Sequence, residues 1–534
     1  MKFIGILGII ALLGLGFLLS TNRKAIKPRI IFWGLSLQLL FAAIILGKSY
    51  LSWSGMFVFI VLILVYLFEN EVLRKSAWKQ VFAPAAVLLL AAVGITGLAY
   101  VLESVGIAIY LFWIVFVGYI VFLLLKKENL VRYFFSVLML VGLGIVVSRG
   151  VFGSTIFTKL AAVVTSFLSL TDLGSEFLFG NLVKTEHFFP GSEAWPGFGY
   201  QFAFSVLPTI IFFSAIMSIL YYFGVMQAIV KMMAKFMRWT MGTSGAETLS
   251  CSANIFVGQT EAPLLIKPFL DDMTLSELHA IMVGGFATIA GGVLAGYIRM
   301  GIDAGHLIAA SVMAAPAALV MAKIMIPETE HSKTAGDVEI PDVDRADNVL
   351  DAAARGVTDG LKLAVNVGAM LLAFIAIIGL VDAVLGFVDK LVDFKLLGGS
   401  LIEATGEYRG IFPGSMKTFF GTIFRPFAFL MGVPWNESLQ VGNLLGIKIA
   451  VNEFVGYAKL GKLIANGELS ERAATIATYA LCGFANFSSI GIQIGGIGAI
   501  APKRRSELSR VAIRAMFAGA FVSWISASIA GMLL

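Results

Sequence analysis

The sequence predicts an all-α polytopic membrane protein with about twelve transmembrane helices and two re-entrant helical hairpins in inverted repeats. Of its 534 residues, 59% are hydrophobic and only 13% are charged, and the mean hydropathy is +0.91. These values lie far outside the range of soluble globular proteins. A hydrocarbon core of about 30 Å requires about 20 apolar residues per helix, and the chain supplies such runs repeatedly. Two short strings also recur 198 positions apart in the same order, which indicates an internal duplication.

The predicted spans alternate with loops whose charge follows a regular pattern. The spans are 3–20, 30–47, 52–69, 82–102, 106–125, 133–148, 201–224, 280–298, 306–326, 361–386, 474–500 and 509–533. Basic residues cluster at every second loop, which places those loops in the cytoplasm and both termini outside. Residues 3–20 are expected to be a retained helix because most nearby basic residues follow it. Lys159 interrupts the apolar run 151–170, for which we predict an interfacial helix.

The pattern of spans and loops divides the chain into eight predicted segments. These are N-terminal transmembrane helices (1–47), an insertion of extra, peripheral transmembrane helices (48–148), interfacial and scaffold segments (149–245), a first hairpin and broken-helix repeat (246–326), a cytoplasmic linker (327–351), a scaffold helix and external segment (352–435), a second hairpin and broken-helix repeat (436–508) and a C-terminal transmembrane helix (509–534). The net charge of +6 comes largely from loop residues, which favours cytoplasmic loops over nucleic-acid binding.

The two recurring strings define the duplication. Asn254-Ile255-Phe256-Val257-Gly258 returns as Asn452-Glu453-Phe454-Val455-Gly456, and Gly285-Phe286-Ala287 returns as Gly483-Phe484-Ala485. When the predicted membrane crossings are counted along the chain, the helix with the first Gly-Phe-Ala string runs from the cytoplasm to the outside, and the helix with the second runs from the outside to the cytoplasm. Inverted repeats of this kind are typical of secondary transporters whose site lies near the midplane. Chance similarity between helices rich in glycine, phenylalanine and alanine is the alternative.

Polar residues inside these apolar segments predict a solute site. Each hairpin contributes one intramembrane carboxylate, Glu261 and Glu453, and such a group is costly without a partner or a function. Two carboxylates facing one cavity would suit a neutral, hydroxyl-rich or amide-rich solute together with a cation. The alternative is a structural role in which neighbouring backbone donors satisfy each carboxylate.

An interrupted helix follows each hairpin, at Thr288–Gly292 in the first repeat and at Asn486–Ser489 in the second. Such breaks free backbone carbonyls to bind ions, although small residues also allow close helix packing. The four histidines have no metal-ligand spacing and no nucleophile partner, so no catalytic residue and no cofactor is predicted. Cys251 and Cys482 are expected to act as small apolar residues rather than as a disulfide.

Three motifs resemble the concentrative nucleoside transporters: Gly258–Pro263, Asn452–Val455 and Gly483–Ser489. The resemblance covers residues 1–47 and about 165–534. It implies a homotrimer in the lipid bilayer that imports nucleosides by coupling to a sodium or proton gradient, with an elevator-like movement of the hairpin domain. The implied location is the plasma membrane, as a multi-pass protein of a bacterial inner membrane.

The resemblance also implies a role for individual residues. Carried over by motif, Gln259, Thr260 and Glu261 would face the nucleobase, Glu453, Asn486 and Ser489 would bind the ribose hydroxyls, and Val293 and Phe484 would pack around the substrate. The sodium ligands would be the side chains of Asn254 and Thr288 with the carbonyls of Val257 and Ile289. Sodium is favoured because the form Gln259–Pro263 resembles the sodium-using branch. The alternatives are a proton-coupled nucleoside carrier and a channel or receptor-like membrane protein.

Overall fold

A computed structural model of the chain describes residues 3–47, 49–68, 78–183, 202–334, 346–403 and 406–534. The described residues are predominantly helical, which confirms the predicted fold class. Their contacts divide the chain into two compact units, a larger one of residues 1–38 with 161–534 and a smaller one of residues 39–160. The duplicated segments both lie in the larger unit.

The first helices along the chain include those of the smaller unit. They are α1 (Ile4–Leu18), α2 (Pro28–Leu46), α3 (Tyr50–Leu67), α4 (Trp78–Ser104), α5 (Ala108–Leu124), α6 (Glu128–Ser148) and α7 (Gly153–Leu168). Within the smaller unit, α3, α4 and α6 pack around a small apolar core that includes Ile60, Ala92 and Leu140. Large apolar side chains such as Ile114 remain exposed, as expected for helices that meet lipid. The peripheral role of residues 48–148 stays a prediction.

The remaining helices belong to the larger unit. They are α8 (Thr171–Phe179), α9 (Phe202–Ser205), α10 (Leu207–Tyr222), α11 (Val225–Met241), α12 (Gly245–Ala253), α13 (Leu275–Ala287), α14 (Gly291–Arg299), α15 (Ala304–Met325), α16 (Val349–Asp389), α17 (Met416–Leu430), α18 (Ser438–Ala450), α19 (Glu453–Ala465), α20 (Glu471–Leu481), α21 (Phe487–Ile500) and α22 (Arg505–Leu533). Two short strands, β1 (Leu401–Ile402) and β2 (Glu407–Tyr408), pair antiparallel after α16.

Ten helical segments of the described chain are long and apolar enough to cross a membrane. Shorter apolar helices, among them α1, α5 and α21, account for further predicted spans. The run predicted to be interfacial forms α7, and with α8 it makes one of the ten segments, Gly153–Phe179. Its length therefore permits a crossing, and its interfacial placement stays a prediction.

Helices α13, α15 and α22 form the centre of the larger unit. In their most apolar windows, 89% of residues are buried for α15 but only 6% for the segment Val349–Leu396, so α16 has an exposed apolar surface. Capping boxes begin α12 at Ser244 and α13 at Thr274, each closed by a glutamate three residues later. The ammonium of Lys323 on α15 lies 2.7 Å from the carboxylate of Glu247, which joins α15 to the start of α12.

Both predicted helix interruptions are present but with other bounds: the first covers only 288–290, and the second lies at 482–486, so that Phe487–Ser489 begin α21. Helix α13 ends at Ala287 before α14 begins at Gly291, and α20 ends at Leu481 before α21 begins at Phe487. The predicted spans 280–298 and 474–500 are therefore each two helices.

The two hairpins differ in their second limb. In the first, α12 is followed by an irregular tip and a 3₁₀ helix, Ala262–Asp272, which contains Pro263 and Pro268. Proline lacks the amide hydrogen that a regular α-helix needs, so a shorter, irregular limb is expected there. In the second, only Val451 and Asn452 separate α18 from α19.

The acidic linker predicted at 327–351 is described only in part, because residues 335–345 lie outside the described residues. At its beginning, Lys333 Nζ donates a hydrogen bond of 2.6 Å to Asp272 Oδ1 at the end of the first hairpin. This bond and the positive charge of Lys333 lower the pKa of the Asp272 carboxyl below its ordinary value. The start of the linker is thereby attached to the first repeat.

Candidate functional site

The two repeated Gly-Phe-Ala strings meet in space. Gly483 has φ of +95°, and a Cβ built there would lie 2.5 Å from the carbonyl oxygen of Phe286 and 2.6 Å from that of Ala287. A side chain is excluded both by the backbone conformation and by these two carbonyls. The break in the second repeat therefore packs directly against the end of α13 in the first.

A buried carboxylate lies at the start of α19, beside this contact. Glu453 is the first residue of that helix and is 4% exposed. Its Oε1 accepts a hydrogen bond of 3.2 Å from the hydroxyl of Tyr297, and its Oε2 accepts one of 2.9 Å from Asn486 Nδ2. The carboxylate thus joins α14 of the first repeat to the helix break of the second.

Asn486 is oriented by its role as the N-cap of α21. Its Oδ1 accepts hydrogen bonds from the backbone amide of Ser489 at 2.8 Å and from the hydroxyl of Ser488 at 2.7 Å. An N-cap side chain of this kind satisfies an amide that has no partner within the helix. Because the oxygen is held by the cap, the amide nitrogen must point to Glu453.

A second set of hydrogen bonds reaches the first hairpin. Gln259 Nε2 donates to Ser489 Oγ at 3.3 Å, and Gln259 Oε1 accepts from Gln493 Nε2 at 3.0 Å. Gln493 Nε2 also lies 3.2 Å from the carbonyl oxygen of Met282. A Cβ at Gly285 would lie 2.8 Å from Gln493 Nε2 and 2.9 Å from Gln259 Cβ, so this glycine makes room for the pair.

We call this set the inter-repeat network: Tyr297, Glu453, Asn486, Ser489, Gln259 and Gln493. It brings together four residues predicted from the sequence. The sequence analysis missed Gln493, although it is an amide inside the apolar helix α21, and an intramembrane polar residue is itself a signal of function. Nothing in the sequence singled out Tyr297, because its place in the network depends on a hydrogen bond to Glu453, which lies 156 residues later in the chain.

The predicted sodium ligands come from two segments that the fold ties together. Asn254 ends α12 and Thr288 ends α13, and both are 1% exposed. Thr288 Oγ1 donates to the carbonyl of Gly284, and Asn254 Nδ2 donates to that of Ser250, while Asn254 Oδ1 is buried and has no hydrogen-bond donor. The amide of Gly291 donates to the carbonyl of Phe256 at 3.1 Å, which fixes the hairpin tip against the break.

This donor set fits a small hard cation. Asn254 Oδ1 lacks a donor, and unwound carbonyls such as those of Val257 and Ile289 are the groups that coordinate sodium in transporters with broken helices. The Thr288 hydroxyl donates its hydrogen to the helix and so presents lone pairs on its oxygen. The neighbourhood of all four residues is therefore compatible with the predicted role.

The other predicted site residues are not joined to the inter-repeat network by a described side-chain hydrogen bond. Thr260 is half-buried and approaches α21 at Gly496, Val293 is buried in the first turn of α14, and Phe484 is half-buried in the second break. Glu261 is exposed and folds back towards Gly258. The two carboxylates predicted to face one cavity thus have unlike surroundings, since only Glu453 belongs to the network.

Three models of protein families match the chain. The Na+ dependent nucleoside transporter N-terminus matches residues 7–59, the nucleoside recognition Gate matches 203–304, and the Na+ dependent nucleoside transporter C-terminus matches 306–531. The chain belongs to the Na+ dependent nucleoside transporter family. Members of this family are transporters and not enzymes. Together these matched ranges include both predicted repeats, 246–326 and 436–508, apart from Gly305.

Relatives of known sequence support the assignment. The chain is 45% identical over 406 residues to sodium/nucleoside cotransporter 1 of Rattus norvegicus, covering 73% of this chain and 58% of that protein. It is 42% identical over 395 residues to the uncharacterized transporter YutK of Bacillus subtilis, covering 74% and 90%. The chain thus spans less than two thirds of the rat relative and nearly all of the bacterial one.

Solved structures show the same fold. A structure of CNTnw in an inward-facing substrate-bound state has a TM-score of 0.71 and 32% identity, covering 100% of this chain and 98% of that one. A CNTnw variant in an outward-facing state has a TM-score of 0.71 and 31% identity, covering 100% and 97%. That protein has therefore been captured with its access on either side.

Proposed function

We propose that this chain is a sodium-coupled symporter that imports nucleosides across the membrane by alternating access of an elevator type. The single observation that carries the proposal is the inter-repeat network, in which Gln259 and Ser489 connect the first hairpin to the second helix break, beside Glu453 and Asn486. Amides, hydroxyls and a carboxylate within one buried cluster suit a solute with an amide-bearing base and a hydroxyl-bearing sugar. Such a site discriminates against solutes that lack these groups, because its own polar atoms would then stay unpaired.

In this proposal the base lies towards Gln259, Thr260 and Glu261, and the ribose lies towards Glu453, Asn486 and Ser489. The hydrogen bonds of the inter-repeat network then serve as place-holders, since the same donors and acceptors would turn to the solute when it binds. Val293, buried in the first turn of α14, and Phe484, half-buried in the second break, would pack against the solute's apolar faces.

Sodium is the proposed coupling ion, bound by Asn254, Thr288 and the carbonyls of Val257 and Ile289. The donor-free Asn254 Oδ1 supports this assignment, because a buried amide oxygen without a partner is costly unless it binds something. The positions of these residues would couple sodium binding to solute binding. The hydrogen bond from the amide of Gly291 to the carbonyl of Phe256 attaches the first hairpin tip to the first helix break, and the proposed sodium ligands lie on these two segments. A cation there would stabilise the geometry that presents Gln259 to the solute.

We further propose a homotrimer embedded in the lipid bilayer, located as a multi-pass protein in the plasma membrane of a bacterium. The apolar exterior of α16 supports a membrane or subunit contact, because side chains such as Leu372 and Leu380 are more than half exposed on it. Cross-linking of the purified protein in membranes, followed by mass measurement, tests the trimer.

The decisive experiment is uptake of radiolabelled uridine and adenosine into proteoliposomes, with sodium or with choline outside, at several pH values. We expect concentrative uptake that requires sodium and persists when the proton gradient is abolished. Uptake that follows pH in choline would instead assign proton coupling. Uptake that never exceeds the outside concentration would assign a channel.

A matched pair of variants tests the sodium site itself. Asn254→Ala removes the donor-free oxygen and should raise the half-saturating sodium concentration by about tenfold or more. Asn466→Ala removes an exposed asparagine whose side chain donates a hydrogen bond to Glu468, and it should leave the sodium dependence unchanged. Equal sodium dependence in both variants would remove Asn254 from the site.

A further inference from the structure

A buried ammonium lies near the substrate site and has no part in the function proposed so far. Lys448, in the last turn of α18, is 0% exposed. Its Nζ donates to the carbonyl of Ala480 at 3.0 Å, to the carbonyl of Cys482 at 2.7 Å and to the hydroxyl of Ser523 at 2.8 Å. An ammonium has three hydrogens, so all of its donors are used.

The acceptors around Lys448 are all neutral oxygens. In the described part of the chain, none of the ion pairs includes this lysine. A buried charge normally has an opposite charge beside it, because desolvation is costly. Two backbone carbonyls and one hydroxyl are instead the kind of ligand set that holds a small metal cation.

The position of these carbonyls explains why a cation is stable there. Ala480 and Cys482 lie at the C-terminal end of α20, immediately before the break in the second repeat. The C-terminal end of a helix carries a partial negative charge from carbonyls without helical partners.

The offset of 198 positions identifies the equivalent place in the first repeat. Lys448 corresponds to Ser250, and Cys482 corresponds to Gly284. Ser250 carries no charge, and its hydroxyl oxygen is buried without a hydrogen-bond partner. The first repeat thus has one unpaired hydroxyl oxygen at this position and no covalently attached cation, while the Gly284 carbonyl accepts from the Thr288 hydroxyl.

The two equivalent asparagines, Asn254 and Asn452, differ in whether the side-chain oxygen accepts a hydrogen bond. Asn254 Oδ1 in the first repeat has no donor, whereas Asn452 Oδ1 in the second accepts a hydrogen bond of 2.9 Å from the amide of Val455. The second asparagine is committed to capping α19. At the repeated asparagine, therefore, only the first copy keeps an amide oxygen without a hydrogen-bond donor.

We propose that the ammonium of Lys448 is a tethered cation, which takes at the second broken helix the part that a bound sodium ion takes at the first. This inference rests on the proposed sodium coupling. It extends that function by assigning one exchangeable cation to the first repeat and one covalently attached cation to the second. The transporter then moves one sodium ion with each nucleoside.

The coupling ratio of the unmodified protein is the first test. Reversal potentials of uridine-driven current in proteoliposomes give the number of charges per nucleoside. The tethered cation predicts one, because Lys448 already fills the second position. A ratio of two sodium ions per nucleoside would overturn the proposal, whatever any variant shows.

Substitution of the lysine is the second test, with sodium-dependent uridine binding to the purified protein as the readout. Lys448→Ser copies the residue of the first repeat and leaves room for an ion. We expect the Hill coefficient for sodium to rise from about one towards two and the half-saturating concentration to rise about tenfold, because fewer molecules are binding-competent. Lys462→Ser removes an exposed lysine of α19 and should match the unmodified protein.

The reciprocal variant covers the case in which Lys448→Ser does not fold. Ser250→Lys places an ammonium at the equivalent position of the first repeat and should make uridine binding largely independent of sodium. A folded Lys448→Ser protein with unchanged sodium dependence would overturn the tethered cation. If instead the unmodified protein shows no sodium-dependent uridine binding, the proposed function fails, and that outcome is separate from this one.

Discussion

Replacing Glu453 by glutamine tests the inter-repeat network most sharply, because the two side chains have nearly the same shape. The carboxylate accepts from two donors, Tyr297 Oη and Asn486 Nδ2, one on each oxygen. A glutamine amide offers one acceptor and one donor group. Either its N–H groups face Asn486 Nδ2, or they face Tyr297 Oη, whose hydroxyl must then accept instead of donate; both arrangements lose hydrogen bonds to a charged oxygen.

The magnitude follows from the bonds that are lost. A hydrogen bond to a charged group contributes about 1.5–3 kcal/mol, so Glu453→Gln should destabilise the nucleoside-free protein by about that amount. Where the same geometry holds the ribose, uridine affinity should fall by a factor of roughly 10 to 150. Thermal unfolding of the purified protein without nucleoside measures the first effect, and equilibrium uridine binding measures the second.

A compensating substitution makes the argument refutable. Asn486→Asp, combined with Glu453→Gln, exchanges the amide and the carboxylate, so that the introduced glutamine can donate to position 486 and accept from Tyr297. The oxygen that caps Ser489 is retained as well. We expect the double variant to unfold at a higher temperature than Glu453→Gln alone. If the single variant is as stable as the unmodified protein, or the double variant is no better than the single one, the network is not what orients these groups.

Three further predictions concern the helix breaks, the missed glutamine and the insertion. Gly483→Ala should cost at least about 1–2 kcal/mol in unfolding free energy because of its positive φ, whereas Gly491→Ala, which has open space in α21, should be neutral or stabilising. Gln493→Leu leaves the oxygen of Gln259 without its donor and should weaken uridine binding about tenfold, while Ile492→Leu on the same helix should not. Removing residues 48–148 should leave uridine binding by the folded remainder intact, and loss of binding in a monodisperse deletion protein would assign those helices to the site.

The sequence predicted the broken helices because their signals are local. Gly291 and Gly292, or Asn486 with two serines, interrupt apolar runs that otherwise extend for a full span. The structure breaks immediately before the glycines, at 288–290, and before the serines, at 482–486. The difference between the two hairpins is local too, since prolines 263 and 268 prevent a regular second limb. Length and hydropathy alone merged each broken pair into one span, because neither property responds to backbone conformation.

The inter-repeat network could be predicted only in part, because its bonds join distant segments. Glu453, Asn486 and Ser489 stand in recognisable strings, but their partners Tyr297 and Gln493 do not. A tyrosine near the end of a glycine-rich helix can have many roles. The Tyr297 hydroxyl donates to Glu453 only because the tertiary fold brings the two residues together. The exposure of Glu261 could not be predicted either, since it depends on how the irregular tip folds back.

The two repeats share the glycines of the Gly-Phe-Ala strings but differ in the charge of equivalent buried residues. This difference explains why an inverted duplication would keep its backbone structure and change its ion-binding residues. Both copies need glycine at the helix break, since Gly285 clears space for two glutamine side chains and Gly483 lies against backbone carbonyls. Positions 250 and 448 are buried in both copies, yet one copy has serine and the other lysine. If one cation must leave with the substrate and the other must stay, the copies have to differ at these positions. Equivalent substitutions in the two repeats should therefore have opposite effects on sodium dependence.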